Sequence, residues 1–246
     1  MTDRLFLAWQ DQDTRRWHTI GLLTAMGDGY EFVFTKGVKY LRSMPSNLFN
    51  MKPGERFRSA NLMPLFLNKI PPRARTDFAK IAHWVGLEGG ENEFTLLKRF
   101  GLIAGTDALM VYPEPKVDDG HYTVDFFVHG MRHMHDDAPK WCKSLSEGDE
   151  LLPLLDVKNP VDPSAVALRG KDGTIIVGYV PAFYANDLYR ILRHKDAAKG
   201  AKITVQRNNS DAPIQLRMFC RFAAQVGEGF RVLDTNDHEP LLVVPA

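Results

Sequence analysis

The stretch NPVDPSAVAL, from Asn159 to Leu168, sets two prolines around a Val–Asp pair directly ahead of a small, apolar, β-branched run. Pro160 and Pro163 fix the backbone φ angle at about −65° and remove two N–H donors. Asn159 and Asp162 each precede a proline, which biases them toward extended conformations. The pattern predicts a stiff loop that holds the Asp162 carboxylate in one place before a strand.

The composition is that of a globular protein, with 44% hydrophobic and 25% charged residues in a chain of 246. A formal net charge of +1 means that any nucleic-acid contact must come from a local patch. The two cysteines, Cys142 and Cys220, form neither a disulfide framework nor a metal motif, which favours a reducing, cytoplasmic location. No apolar run has the length of a membrane span or the pattern of a secretory signal, so no membrane contact is expected.

The chain divides into two α+β modules, predicted at residues 1–116 and 121–246. The segment YPEPKVDDGHY, Tyr112 to Tyr122, carries two prolines, a glycine and several charges, as a linker does. Ahead of it, three apolar or alternating runs predict strands: RLFLAW, HTIGLLTAM and YEFVFT. The proline-bearing stretch from Met44 to Pro72 is typical of a loop. Thr76 is the predicted N-cap of a helix over DFAKIAHWVGL, and a helix over NEFTLLKRF and a strand over DALMVYP follow.

The run FLNKIPPRARTDFAKIAHWVGL, followed by NEFTLLKRFGLIAGTDALMVYP, resembles the N-terminal subdomain of HipA-type Ser/Thr kinases over about residues 16–115. The loop departs from the family at Ile70 to Arg73, and the kinase core with its phosphate-binding and metal-binding motifs is missing. The resemblance therefore implies a detached kinase subdomain that docks a HipA-like kinase supplied by another chain. The contact is expected at the loop NKIPPRART, through Pro71, Pro72, Arg73 and Arg75.

In the second module, HYTVDFFVHG alternates as a half-buried strand does, and Gly130 predicts a bulge in it. Asp137 is the predicted cap of a short helix over DAPKWCKSL. A strand over LLPLLDV, a turn at 171–173, a strand over TIIVGYV, a helix over AFYANDLYRILRH and a last hairpin complete the order. In the final strand, PIQLRMFCRF, we expect residues 214, 216, 218, 220 and 222 on one face and residues 215, 217, 219 and 221 on the other.

This order and the words GMRHM, EGDELLPLLDVKNPVDPSAVAL and GYVPAFYANDL resemble the HIRAN domain over about residues 122–223. The resemblance implies an OB- or SH3-like β-barrel with added helices that binds single-stranded DNA at a free 3′ end. Asp162 would then accept a hydrogen bond from the terminal 3′-hydroxyl and reject an internal phosphodiester. The alternative for Asp162 is a loop-capping aspartate that bonds its own backbone.

Further positions of the nucleic-acid site follow from the same resemblance. Arg132 would bind phosphate, His133 would stack on a base, and Asn159 would lie in the loop beside Asp162. Tyr179 would approach the nucleic-acid backbone. Two departures from the family pattern are expected to weaken DNA binding: Val161 stands where some members have a stacking tyrosine, and Ala182 replaces a basic residue.

Other features have two interpretations each. The histidines and aspartates of HGMRHMHDD are close enough in sequence for a metal site, but they lack a third ligand at regular spacing, so neither a metal nor another cofactor is predicted. Arg207, Arg217 and Arg221 form either a solvated face or a track for phosphates. No catalytic constellation is found, so the sequence predicts a binding protein, not an enzyme. The HipA resemblance implies that it belongs to a toxin–antitoxin or defence system. The alternative is an antitoxin that neutralises a HipA-like kinase without binding DNA.

Overall fold

The structure is a computed structural model that describes residues 3–42, 48, 51–103, 108–171 and 175–242. Its contacts group the chain into two compact units. The first unit comprises Met1–Glu114 with Asp234–Ala246, and the second comprises Pro115–Leu233. Each unit is built on one antiparallel sheet with helices added, so the fold is mixed α and β.

The first unit has a five-stranded sheet in the order β4-β3-β2-β1-β5. The strands are β1 (Arg4–Gln10), β2 (Trp17–Met26), β3 (Gly29–Phe34), β4 (Arg56–Ser59) and β5 (Leu109–Pro113). The helices are α1 (Pro64–Leu67), α2 (Phe78–Trp84) and α3 (Glu93–Phe100), and a 3-10 turn spans Lys36–Tyr40. The core lies against one face of this sheet and includes Leu5, Leu7, Leu23, Phe32, Phe34, Phe66, Leu97 and Val111.

Most elements of the first unit lie where the sequence predicts them. Helix α3 begins after Asn92, whose side chain accepts a hydrogen bond from the amide of Thr95 at 2.8 Å, and it ends at Gly101. Two predictions were wrong in detail. The stretch expected to be a loop contains β4 and α1, although residues 43–47 and 49–50 lie outside the described part. Asp77, not Thr76, occupies the N-cap position of α2, and its carboxylate pairs with Arg75 instead of capping the helix.

The end of the chain packs with the first unit, whereas the sequence placed it in the second module. The amide of Leu241 donates to the carbonyl of Phe34 at 2.7 Å, and the amide of Lys36 donates to that of Glu239 at 2.8 Å. The ring Nε2 of His238 lies 2.8 Å from the hydroxyl of Tyr112. These contacts join residues far apart in sequence, which a local pattern does not reveal.

The second unit has a seven-stranded sheet in the order β10-β9-β8-β11-β12-β7-β6. Its strands are β6 (Lys116–Asp118), β7 (His121–Phe127), β8 (Glu150–Leu155), β9 (Val166–Arg169), β10 (Ile176–Tyr179), β11 (Lys202–Asn208) and β12 (Met218–Gln225). Its helices are α4 (Ala138–Ser144), α5 (Ala182–Arg193) and α6 (Lys195–Gly200). Within the described ranges, no helix is long and apolar enough to cross a membrane.

Three local predictions near or in the second unit were wrong in detail. The boundary between the two units falls within the expected linker, but most of that segment forms a hairpin, because β6 pairs with β7. Gly130 has a φ of 71° and begins a 3-10 turn over Met131–His133, not a bulge. The last strand begins only at Met218, after a 3-10 turn over Ile214–Leu216, so the predicted alternation holds only from residue 218 onward. Phe219 is buried on the face that it shares with the exposed Arg221. The predicted turn at 171–173 falls mostly outside the described residues.

The sheet of the second unit curls so that its two ends approach each other. An isolated antiparallel bridge joins Tyr179, at the end of β10, to His129, just after β7. The two residues exchange both backbone hydrogen bonds, at 2.9 and 2.8 Å. Gly178 allows the approach, since a Cβ there would lie 2.5 Å from the carbonyl oxygen of His129. The likeness to an OB or SH3 barrel stays a prediction.

Candidate functional site

The NPVDP loop connects β8 to β9 and is held by its own hydrogen bonds. The side-chain oxygen of Asn159 accepts from the amides of Val161, at 3.0 Å, and Asp162, at 3.1 Å. At the base of the loop, the amide of Asp156 donates to the carbonyl of Ala165 at 2.9 Å. Together with the two prolines, these bonds give the stiff loop that the sequence predicted.

Asp162 makes the loop-capping contact that was the alternative to ligand binding. Its Oδ1 accepts from the amide of Ser164 at 2.8 Å, and its carbonyl accepts from the amide of Ala165 at 3.1 Å. The residue is half-buried in the loop, four positions before β9 begins. The capping bond orients the carboxylate, so it is compatible with a second role toward a ligand, which stays a prediction.

Asp156 connects this loop to β10, and the sequence did not identify it. Its Oδ2 accepts from the side-chain amide of Asn159 and from the hydroxyl of Tyr179, each at 3.0 Å. Burial raises the pKa of Tyr179, and the bond to Asp156 raises it further, while a hydrogen bond from Asn159 opposes both. The only sequence signal for Asp156 is an acidic residue at the end of a strand, three residues before Asn159.

Arg132 and His133 lie in the 3-10 turn that begins at Gly130, and both side chains are exposed. Arg132 donates to the side chain of Gln215 at 3.3 Å. A Cβ at Gly130 would lie 3.4 Å from the ring of Tyr179, so the turn begins beside that ring. The structure thus brings Asn159, Tyr179 and the start of the Arg132 turn together. Tyr179 lies between the NPVDP loop and this turn.

The histidines near this turn do not form a metal site in the structure. Among the described residues, no group of three or more His, Cys, Asp or Glu side chains is placed to hold a metal ion. His133 ends the 3-10 turn and does not lie in a strand with His135. Burial lowers the pKa of His129 to about 4, so its ring is neutral at pH 7.

The arginines of the last hairpin have different environments. Arg221 forms a bidentate pair with Asp125, at 2.6 and 3.0 Å, so an acidic partner already offsets its charge. Arg217 donates to the carbonyl of Ala212 at 3.3 Å, and Arg207 is half-buried. The Arg221 pair favours the solvated-face interpretation at that position.

The residues predicted to contact a kinase lie partly in one groove of the first unit. A cavity of about 390 Å³ is lined by Leu67, Asn68, Ile70, Pro71, Pro72, Arg73, Glu93 and Leu96. Arg73 donates to the carbonyl of Glu91 at 2.5 Å. Arg75 does not line the groove and pairs with Asp77 at 2.8 Å.

Comparison with known proteins gives one family match, to the HIRAN domain at residues 121–227. No curated protein matches the chain. Among solved structures, the HIRAN domain of human HLTF is 17% identical, covers 46% of this chain and 84% of its own, and has a TM-score of 0.34. A protein from Lactobacillus plantarum is 14% identical, covers 44% of this chain and 100% of its own, and has a TM-score of 0.33.

At these identities and TM-scores neither structural likeness adds to the assignment, which rests on the family match. That match spans β7 to just past the end of β12 and includes the NPVDP loop, the Arg132 turn and Tyr179. The resemblance of residues 16–115 to a HipA-type kinase subdomain has no such support and stays a prediction. The second unit of this chain carries a HIRAN domain.

Proposed function

We propose that the HIRAN domain of this chain binds single-stranded DNA at a free 3′ end. The observation that carries the proposal is the family match over the segment in which a rigid, acidic loop approaches a cation-bearing turn. Asp156 and Asp162 supply hydrogen-bond acceptors for a hydroxyl group. Arg132 and His133 are exposed and supply a charge for phosphate and a ring for stacking.

The same arrangement selects between strand ends. A terminal hydroxyl donates a hydrogen bond to the Asp162 carboxylate, and a 3′-phosphate removes that donor and adds about two negative charges. A charge-assisted hydrogen bond contributes about 1.5–3 kcal/mol, so we expect discrimination on the order of ten- to a hundredfold.

Two variants test the proposal by fluorescence anisotropy on the full chain. Asp162→Asn keeps an oxygen for the Ser164 amide and loses the charge. The variant should therefore bind the strand with a 3′-phosphate better, and the difference in affinity between the two strand ends should become smaller. Arg132→Ala should weaken both ends alike and reduce the salt slope by about one. Asp196→Ala is the matched control, because its carboxylate is 86% exposed on α6. Unchanged discrimination in Asp162→Asn would contradict the assigned role.

A second candidate function is docking of a HipA-like kinase by the first unit, and the proline-lined groove favours it. Leu67 is 43% exposed at this groove, beside Pro71 and Pro72. Leu67→Arg should abolish co-purification with the HipA-like kinase encoded nearest this gene. Leu154→Arg, at a residue 40% exposed in the other unit, should leave it intact. No association of the unaltered chain at micromolar concentrations would exclude docking, and with it an antitoxin role.

Either function is exerted by binding, and we propose that the chain is not an enzyme and acts in the cytoplasm. Its thiols are poor nucleophiles, since burial raises the pKa of Cys142 to about 11 and that of Cys220 further. Both cysteines are buried.

A further inference from the structure

The hydroxyl of Tyr179 has one hydrogen, and that hydrogen is committed within the protein. The hydroxyl lies 3.0 Å from Oδ2 of Asp156, and a carboxylate only accepts, so the tyrosine is the donor. The Asn159 side chain also donates to this oxygen, so what Tyr179 can still offer a ligand is its remaining lone pair. The residue is half-buried, so part of it is exposed to solvent.

Asp156 is itself held in place, which makes this bond a fixed part of the site. The side-chain amide of Asn159 donates to the same Oδ2 at 3.0 Å, and the oxygen of Asn159 is used by two backbone amides of the loop. The backbone of Tyr179 is bound on both sides to His129. Turning the Asp156 carboxylate away from Tyr179 would also break its bond to Asn159, and the paired backbone of Tyr179 fixes where its side chain begins.

We propose that Asp156 is a positioning residue that makes the Tyr179 hydroxyl a hydrogen-bond acceptor, so that the ligand group facing Tyr179 is a donor. That group is a hydroxyl or an amino group of the strand, not a phosphate oxygen. The inference rests on the proposed function, binding of a nucleic-acid strand by this domain, and it deepens that function by assigning the chemistry that each part of the site selects.

The arrangement divides the site into two parts of opposite preference. The loop and β10 present acceptors, from Asp156, Asp162 and Tyr179, which repel phosphate oxygens and suit donors. The turn presents the Arg132 guanidinium, which suits anions. A Tyr179 contact with the phosphate backbone, as the family resemblance implied, would require the tyrosine to give up its bond to Asp156.

Tyr179→Phe tests this directly, because it removes the hydroxyl and keeps the ring. The probes are single strands ending in a 3′-hydroxyl, ending in a 3′-deoxy sugar, or carrying purine in place of the terminal adenine. Relative to the unaltered chain, the variant should bind the strand that carries the relevant donor about three- to tenfold more weakly. Its affinity for the strand that lacks this donor should equal that of the unaltered chain. The deoxy probe identifies a sugar hydroxyl as the donor, and the purine probe identifies an amino group.

Asp156→Asn gives a second, independent measurement. An amide at position 156 can donate to the Tyr179 oxygen and free the tyrosine hydrogen for a phosphate, so this variant should bind a 3′-phosphate strand better relative to the hydroxyl strand. Asp149→Asn is the matched control: it removes the same charge at the far end of β8, about 20 Å away along the strand. Melting temperatures of all variants identify any loss that comes from unfolding.

Two results overturn the inference while leaving DNA binding intact. One is an equal loss in Tyr179→Phe for strands with and without the donors, as expected if the hydroxyl donates to a phosphate. The other is the same change in end preference for Asp149→Asn as for Asp156→Asn, as expected of net charge alone. Failure of the unaltered chain to bind any strand instead overturns the proposed function.

Discussion

Acid should loosen the end of the chain from the first unit through His238. Its Nε2 lies 2.8 Å from the Tyr112 hydroxyl, and its Nδ1 lies 2.7 Å from the hydroxyl of Thr235. Burial lowers the pKa of His238 from 6.5 to about 4, although nearby Asp237 opposes the shift. The folded state therefore holds the ring neutral, and protonation works against the packed tail.

The sign and size follow from proton linkage. Between pH 6.5 and 4 the unfolded chain binds one proton more than the folded chain at this residue, so stability falls as the pH falls. The slope approaches about 1.4 kcal/mol per pH unit, and the full gap corresponds to about 3 kcal/mol. His238 is only half-buried, so solvent screening reduces this free energy. We expect His238 to contribute about 1–3 kcal/mol to the loss of stability in acid.

The assay is urea unfolding at pH 7 and pH 4.5, with hydrogen exchange to locate the loss at residues 234–242 and β2. His238→Gln should make the free energy of unfolding less dependent on pH. This holds even if the substitution lowers that free energy at pH 7. The exposed His194 supplies the control His194→Gln, which should keep the dependence of the unaltered chain. Some acid sensitivity should persist in both variants, because the pKa of His129 is also about 4. An identical pH dependence in His238→Gln and the unaltered chain would refute the reasoning.

Two further predictions follow from single contacts, and a third follows from the missing kinase motifs. Asp187→Ala should lower the free energy of unfolding by about 3–5 kcal/mol in a urea titration, because the buried amide of Leu233 loses its acceptor. The control Asp196→Ala should change this free energy little. Gly178→Ala should push β10 away from the carbonyl of His129, which would show as faster hydrogen exchange in β10 and weaker strand binding. Incubation with ATP, Mg²⁺ and a generic substrate should transfer no phosphate, and robust autophosphorylation would contradict the absence of kinase motifs.

Local sequence patterns predicted the elements that depend on local physics. Alternation located β7, with Tyr122, Val124 and Phe126 buried on one side. The helix predicted over NEFTLLKRF is α3, Glu93–Phe100. The two prolines around Asp162 predicted a stiff loop, and the family match over residues 121–227 agrees with the resemblance stated from that loop.

What the sequence missed depends on contacts between distant residues. Asp156 gains its role from Tyr179, 23 positions later, and the two meet because β9 pairs with both β8 and β10. The tail groups with the first unit because His238 meets Tyr112, 126 positions earlier. Phe219 is buried because its ring packs on that of Phe127 from the neighbouring strand, although Arg221 on the same face is exposed.

The central claim is that the HIRAN domain reads the end of a DNA strand. The most direct measurement is the ratio of dissociation constants of the full chain for one oligonucleotide ending in a 3′-phosphate and in a 3′-hydroxyl, at matched salt. The account predicts tighter binding of the hydroxyl end by about ten- to a hundredfold. Equal affinity for the two ends, unchanged in Asp162→Asn, would contradict it and leave NPVDP as a stiff structural loop.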